Sequence, residues 1–186
     1  MSPRRKHILE QVGYKFDVIV SDYDEVLDQT MDPVALARSL SSGKASAVAK
    51  TLTHGVVLGA DTIVAANGEI LGKPTDEKDA VRMLSLLSGS SHLVSTGFTI
   101  IDVESGAIVT KSVEATVYFR SLDENEIRDY VASGEPMDKA GGYGAHDKAA
   151  LFIDHIEGDF YTVIGLPICA VSVELKNFGI SAIIKA

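Results

Sequence analysis

The sequence predicts an α/β fold built on a mixed β-sheet flanked by helices. Three observations carry that expectation. Apolar runs of strand length alternate with amphipathic runs of helix length, several strand-like runs cluster between residues 92 and 120, and turn or cap residues fall at the joints. With 186 residues the chain suits one domain, or one domain with a small lobe, and can bury a sizeable core.

Residues 4–12 read as a short helix, with Ile8, Leu9 and Val12 on one face and Pro3 near its first turn. "KFDVIV" (15–20) has strand character, and "SDYDEVLDQ" (21–29) is a polar loop with four acids. Segment 32–52 starts with Asp32 as a helix N-cap and Pro33 at the first helical position, and Gly43 is placed to kink or split that helix. Residues 55–74 give a buried strand, an Asn67-Gly68 hairpin turn and a short return strand. The clearest helix is 75–89: Thr75 caps it, Ala80, Met83, Leu84 and Leu87 form its apolar face, and Gly89 stops it. Residues 92–120 alternate strands and turns, with a hairpin tip at Glu104-Ser105-Gly106. A capping box from Ser121 to Glu124 opens a helix that ends at Gly134. The glycine-dense loop "EPMDKAGGYGAHD" follows, then two short strands around 150–165 and a final helix at about 167–177.

Composition narrows the function. The formal net charge of −9 argues against general nucleic-acid binding, which needs a broad basic face. It leaves room for a small phosphorylated ligand, because a pocket's local field can oppose the net charge. A single cysteine, Cys169, allows no internal disulfide and fits a reducing cytoplasm; its apolar neighbours on the last helix suggest core packing. The basic start has no apolar core after it, so it is not a signal peptide, and "TVIGLPICAVSV" is too short and Pro-broken to span a bilayer. A cytoplasmic protein without membrane contact is expected.

Five polar clusters fall at element ends or in loops, where functional residues concentrate. They are Ser2-Pro3-Arg4-Arg5, the acids at 22–25, Lys44, "GADT" (59–62) with Lys73, and "MDKAGGYG" (137–144). Asp61 ends a continuous apolar run, where a carboxylate is costly unless paired, hydrogen-bonded or metal-bound. Backbone N–H groups in a turn would satisfy it equally well. Asp61 and Glu25 together could bind a hard divalent cation, and Mg²⁺ needs only one or two carboxylates when phosphates complete its shell. Taken singly, Glu25 is also explained as a solvated acid, Lys44 as surface charge, and Lys139 as the partner of Asp138. No Walker A loop, dinucleotide fingerprint, nucleophile elbow or zinc-type histidine spacing is present.

In order, "SPRRKHIL", "SDYDE", "GKASAVA", "VLGADTIVAANGEILGKPTDEKDAVRMLSLLSG", "YVASGEPMDKAGGYG" and "IEGDFYTVIGLP" span nearly the whole chain. With these stretches it resembles the Maf family, the septum-formation-protein-like nucleoside triphosphate pyrophosphatases. The resemblance implies a single domain over residues 1–186, with two lobes and a central cleft, similar to inosine triphosphate pyrophosphatase. It implies hydrolysis of a nucleoside triphosphate to the monophosphate and pyrophosphate with Mg²⁺ or Mn²⁺, housecleaning of nucleotide pools, and often a homodimer. Asp61 matches the family's proton-accepting carboxylate, and Glu25 the acid that helps hold the metal. Arg4, Arg5, Lys44, Lys73 and Lys139 match basic residues lining the site. Arg4 and Thr62 carry the types seen in the dTTP/UTP subgroup, whereas the 7-methyl-GTP subgroup usually departs at both.

Two departures stand out. Where the dTTP/UTP subgroup usually reads Ile-Gln after "YG", this chain reads Ala145-His146, so His146 replaces a third specificity residue. Family members also usually carry a short apolar strand before Ser-Pro, and this chain begins at Met1-Ser2. The expectation is either a later-than-true start or a sheet short of one strand, with Arg4 and Arg5 less firmly held. An alternative reading follows: a catalytically weak nucleotide-binding or regulatory protein linked to cell division.

Overall fold

A computed structural model describes residues 2–182. Helix α1 (Pro3–Gln11) has Ser2 as its N-cap, and α2 (Pro33–Ala49) has Asp32, whose carboxylate accepts from the N–H groups of Val34 and Ala35. Strands β1 (Val56–Ala66) and β2 (Glu69–Leu71) form the first hairpin, with Asn67 at φ 51° in its turn. Helix α3 (Glu77–Leu87) leads into the long hairpin of β3 (Ser91–Asp102) and β4 (Ile108–Phe119). Helix α4 (Glu124–Ala132), a run of 3-10 turns, β5 (Ile153–Gly158), α5 (Phe160–Ile164) and α6 (Ile168–Asn177) complete the order.

The five strands lie in the order β2-β1-β3-β4-β5, and every described pairing is antiparallel. The mixed sheet expected from alternating elements is therefore an antiparallel one. Tight hairpins rather than helical crossovers join β1 to β2 and β3 to β4, which requires antiparallel pairing. Helices still cover both faces. On one face Leu36, Ala37 and Leu40 of α2 pack on Ile63 and Ile70. On the other, Ile8 of α1 and Val171 and Leu175 of α6 pack on Ala60, Phe98 and Ile100. Farther along that face α3 and α4 form a second core with Val64, Val94 and Val117.

Helix α2 lies very close to the sheet because Gly97 sits beneath it. A Cβ there would collide with the Ala37 carbonyl, and one on Gly59 would lie 2.7 Å from the Ser41 carbonyl oxygen. Gly43 does not kink α2, which is continuous. The ring of Tyr23 lies against it where a side chain would go, so the glycine serves loop docking rather than helix breaking.

Several local expectations shift. Residues 15–20 are not assigned as a strand, although "KFDVIV" has the composition for one: composition favours extended backbone, but a strand also needs a ladder partner. The cap of α3 is Asp76 rather than Thr75, and the capping box of α4 is Asp123–Glu126 rather than Ser121–Glu124. In both cases an aspartate nearer the first turn reaches the free N–H groups. Only β5 forms near 150–165, and α5 takes the place of the second strand, with the Asp159 side chain accepting from Thr162 N–H. Cys169 is exposed rather than packed in the core, because α6 turns Val171 and Leu175 inward instead.

Candidate active site

Asp61 and Thr62 are consecutive in β1, so their side chains leave opposite faces of the sheet. Asp61 pairs across the ladder with Gly97 and points toward α2; Thr62 pairs with Thr96 and points toward α1. Both nevertheless line one cavity of about 980 Å³. Over residues 56–63 the edge of β1 away from β3 has no ladder partner among the described residues, since β2 covers only 64–66. The cavity wraps around that edge and collects side chains from both faces. Its wall includes residues of both cores on the α1 face of the sheet, among them Ala60 and Tyr14 from one and Val64, Val94 and Tyr143 from the other.

Every residue singled out in the sequence lines this cavity: Arg4, Arg5, Glu25, Lys44, Asp61, Thr62, Lys73, Lys139 and His146. On the α2 side, Lys44 Nζ donates to Asp61 Oδ1 at 2.7 Å and lies 2.9 Å from Glu25 Oε1. One ammonium thus bridges two carboxylates that are 36 residues apart in sequence but adjacent in space. Asp61 is 8% exposed. Glu25 is more open, and its loop is held at two points: Tyr23 lies against Gly43, and the Gln29 amide exchanges hydrogen bonds with the backbone of Ile70.

On the α1 side the chemistry differs. Arg5 Nε donates to the Gly165 carbonyl at 2.7 Å, and its Nη2 donates to Thr62 Oγ1 at 3.0 Å. Thr62 Oγ1 and Thr96 Oγ1 share a hydrogen bond of 2.9 Å, and Thr96 donates to the Thr162 carbonyl. Arg5 makes no ion pair among the described residues; its contacts are neutral oxygens. Burial pulls its guanidinium below the ordinary value, the charge of Asp61 opposes that shift, Arg4 adds to it, and Glu25 opposes it. Arginine carries five donors, so three stay free of these two anchors. A part-buried cation held by neutral groups is a standing attraction for an anion.

The opposite wall comes from the glycine-dense loop. Gly141 N–H donates to the Gly72 carbonyl, which brings Lys73 and Lys139 to one rim. Lys139 is 7% exposed and donates to the Glu135 carbonyl and to Asp138 Oδ1, both at 2.8 Å. Arg4 Nη1 lies 3.9 Å from Asp138 Oδ2. The hydrogen bond from Lys139 holds the Asp138 carboxyl below its usual range. His146 is exposed at the rim, with its Nε2 3.5 Å from Asp147 Oδ2. Burial lowers its pKa, Asp147 opposes, Arg4 and Lys139 lower it further, and Glu135 opposes.

Sequence reasoning overlooked three contributors. Asp138 joins Arg4 to Lys139, and its adjacency to Lys139 pointed only to a local pair. Thr96 carries the hydroxyl chain behind Arg5; a threonine among the other hydroxyl residues of a strand gives no signal. His92 is 3% exposed and meets the Tyr143 hydroxyl at 2.7 Å, with its Nδ1 unpartnered. Burial pushes the His92 pKa down to about 4 and the Tyr143 hydroxyl up. The buried pair props the loop that carries Lys139 and His146.

Among the described residues no group of three or more His, Cys, Asp or Glu side chains is placed to hold a metal ion by itself. Asp61 and Glu25 do converge on a single cation, the Lys44 ammonium, with hard oxygen donors. That donor set suits Mg²⁺ or Mn²⁺ whose remaining positions are filled by phosphate and water. No helix among the described residues is long and apolar enough to cross a membrane.

The fold and cleft define an α/β protein whose buried acid sits among cations suited to a polyanionic ligand. The chain belongs to the family described as Maf-like protein, whose model matches residues 1–178. It is 44% identical over 182 residues to a dTTP/UTP pyrophosphatase of Desulforamulus reducens, covering 98% of this chain and 95% of that protein. It is 46% identical to the dTTP/UTP pyrophosphatase of Alkaliphilus metalliredigens over 97% of this chain and 94% of that one. For the dTTP/UTP pyrophosphatase of Bacillus cereus the identity is 48%, over 96% and 93%.

Proposed function

We propose that this protein is a nucleoside triphosphate pyrophosphatase that acts on dTTP and UTP, releasing the monophosphate and pyrophosphate. The observation that carries the reading is Arg5: among the described residues it is a part-buried guanidinium anchored by neutral oxygens, beside a buried carboxylate, in a cleft that Lys44, Lys73, Lys139 and a second arginine also line. The enzymatic name shared by relatives that match nearly end to end supports the same reaction. It also disfavours the alternative of a catalytically weak regulatory protein linked to cell division.

Arg5 binds phosphate oxygens with the donors that Gly165 and Thr62 leave free, and Arg4 and Lys73 extend the positive wall. Asp61, as general base, takes a proton from the attacking water. The water oxygen bonds to the α-phosphorus in line, the bond to the bridging oxygen breaks, and pyrophosphate leaves with that oxygen. Lys44 and Lys139 meet the negative charge that grows on the leaving phosphates. When bound, a divalent cation held by Asp61, Glu25 and phosphate oxygens supplies charge neutralisation. Thr62, Arg4 and His146 border the space for the base, and His146 offers one donor and one acceptor where the subgroup has an amide.

The test is a panel of dTTP, UTP, dCTP, dATP and GTP with Mg²⁺ or Mn²⁺, following pyrophosphate release. The reading expects turnover with dTTP and UTP foremost. Turnover of none of the panel overturns it.

A further inference from the structure

The ammonium of Lys44 occupies the point where Asp61 and Glu25 converge, at 2.7 and 2.9 Å. Its side chain is 17% exposed and comes from the middle of α2, which Gly97 lets approach the sheet closely. The same two carboxylates are the oxygen donors that would hold a divalent cation in the proposed reaction. Both cations cannot hold that point together: they carry like charge and need the same oxygens.

We propose that Lys44 is the internal counter-cation of the Asp61–Glu25 pair, excluding the divalent ion until a triphosphate offers the ammonium other oxygens. This rests on the pyrophosphatase reading and adds to it. Metal arriving alone must displace a paired ammonium into a cavity that already holds Arg4, Arg5 and Lys73. Metal arriving with a triphosphate does not, because the phosphates give Lys44 new partners. Metal and nucleotide therefore bind with positive coupling, and Lys44 carries that coupling. Arg5 also feels the charges of Asp61 and Glu25, but its anchors at Gly165 and Thr62 keep it on the other face of the sheet.

The experiment measures Mn²⁺ binding to the full chain without nucleotide, by the loss of the free Mn²⁺ electron paramagnetic resonance signal. Lys44→Gln should bind Mn²⁺ at least about tenfold more tightly than the unchanged protein, roughly 1.4 kcal/mol. Lys44→Arg, which keeps the charge, should show no such gain. With the α,β-methylene analogue of UTP present, Mn²⁺ affinity should rise in the unchanged protein and rise much less in Lys44→Gln. Equal or weaker Mn²⁺ binding by Lys44→Gln, or a gain in Lys44→Arg, overturns the proposal. A measurement on the unchanged protein guards against a variant that does not fold. Mn²⁺ at saturating concentration should speed acetylation of Lys44 read by mass spectrometry, and no acceleration counts against the proposal. These readouts are independent of turnover, so a failed nucleotide panel and a failed coupling are told apart.

Discussion

The two faces of the sheet around β1 handle charge in opposite ways. Toward α2, Asp61, Lys44 and Glu25 form a paired cluster in which one ammonium serves two carboxylates, each within 3 Å. Toward α1, Arg5 rests on a carbonyl and a chain of hydroxyls, with no carboxylate in contact among the described residues. The register places Asp61 opposite Gly97 and Thr62 opposite Thr96, so one step along each strand separates the two chemistries. The lesson is a division of labour. The paired face holds a buried carboxylate against an ammonium, which in the proposed mechanism a ligand rearranges. In the proposed reaction, the other face keeps a cation available for phosphate.

The strongest way to break this comparison is Asp61→Asn. Pyrophosphate release should fall by roughly 10²–10⁴-fold, with the fold retained in circular dichroism, because the amide cannot take the proton. Undiminished activity would remove Asp61 from the chemistry.

The next effect lies on the α1 side and reads in acid. His92 has a folded pKa of about 4 against 6.5 ordinarily, so the unfolded chain binds the extra proton between those values. Stability is whole above pH 6.5 and is lost progressively as pH falls toward 4, by about 3 kcal/mol from this group. Urea denaturation across that range should show the slope, and His92→Gln should flatten it. An unchanged slope in the variant would assign it elsewhere.

Residues 96 and 97 then separate the faces directly. Gly97→Ala pushes against the Ala37 carbonyl, and should cost about 1–3 kcal/mol of stability and disturb Lys44 through α2. Thr96→Val removes the donor to Thr162 and the partner of Thr62, and should cost about 1–2 kcal/mol while raising KM through Arg5. If Thr96→Val left KM unchanged, the hydroxyl chain would support the sheet and not the arginine.

The smallest effect concerns His146→Gln. Burial lowers the imidazole pKa, so it is neutral above pH 6.5, and the two proteins should then hydrolyse UTP with similar kcat/KM. Below pH 6.5 they should diverge as protonation adds charge beside Arg4 and Lys139. Profiles that coincide throughout would remove His146 from the substrate's surroundings.

The sequence by itself determined the local elements and the roster of charged residues. Asn67-Gly68 fixed a hairpin, the apolar face of 80–87 fixed α3, and Asp32-Pro33 fixed the start of α2, because turn chemistry, periodicity and capping act within a few residues. Motif order also brought out nine of the residues that line the cleft. Tertiary structure alone decided how those residues meet. "KFDVIV" carried strand composition but is not assigned as a strand, and the alternating elements closed into an antiparallel rather than a mixed sheet. That Lys44 bridges Glu25 and Asp61, that Arg5 rests on neutral oxygens, and that Thr96 and His92 stand behind the site depends on register and close helix approach. Pairing between distant segments is set by which surfaces bury together, and no spacing within one segment encodes it.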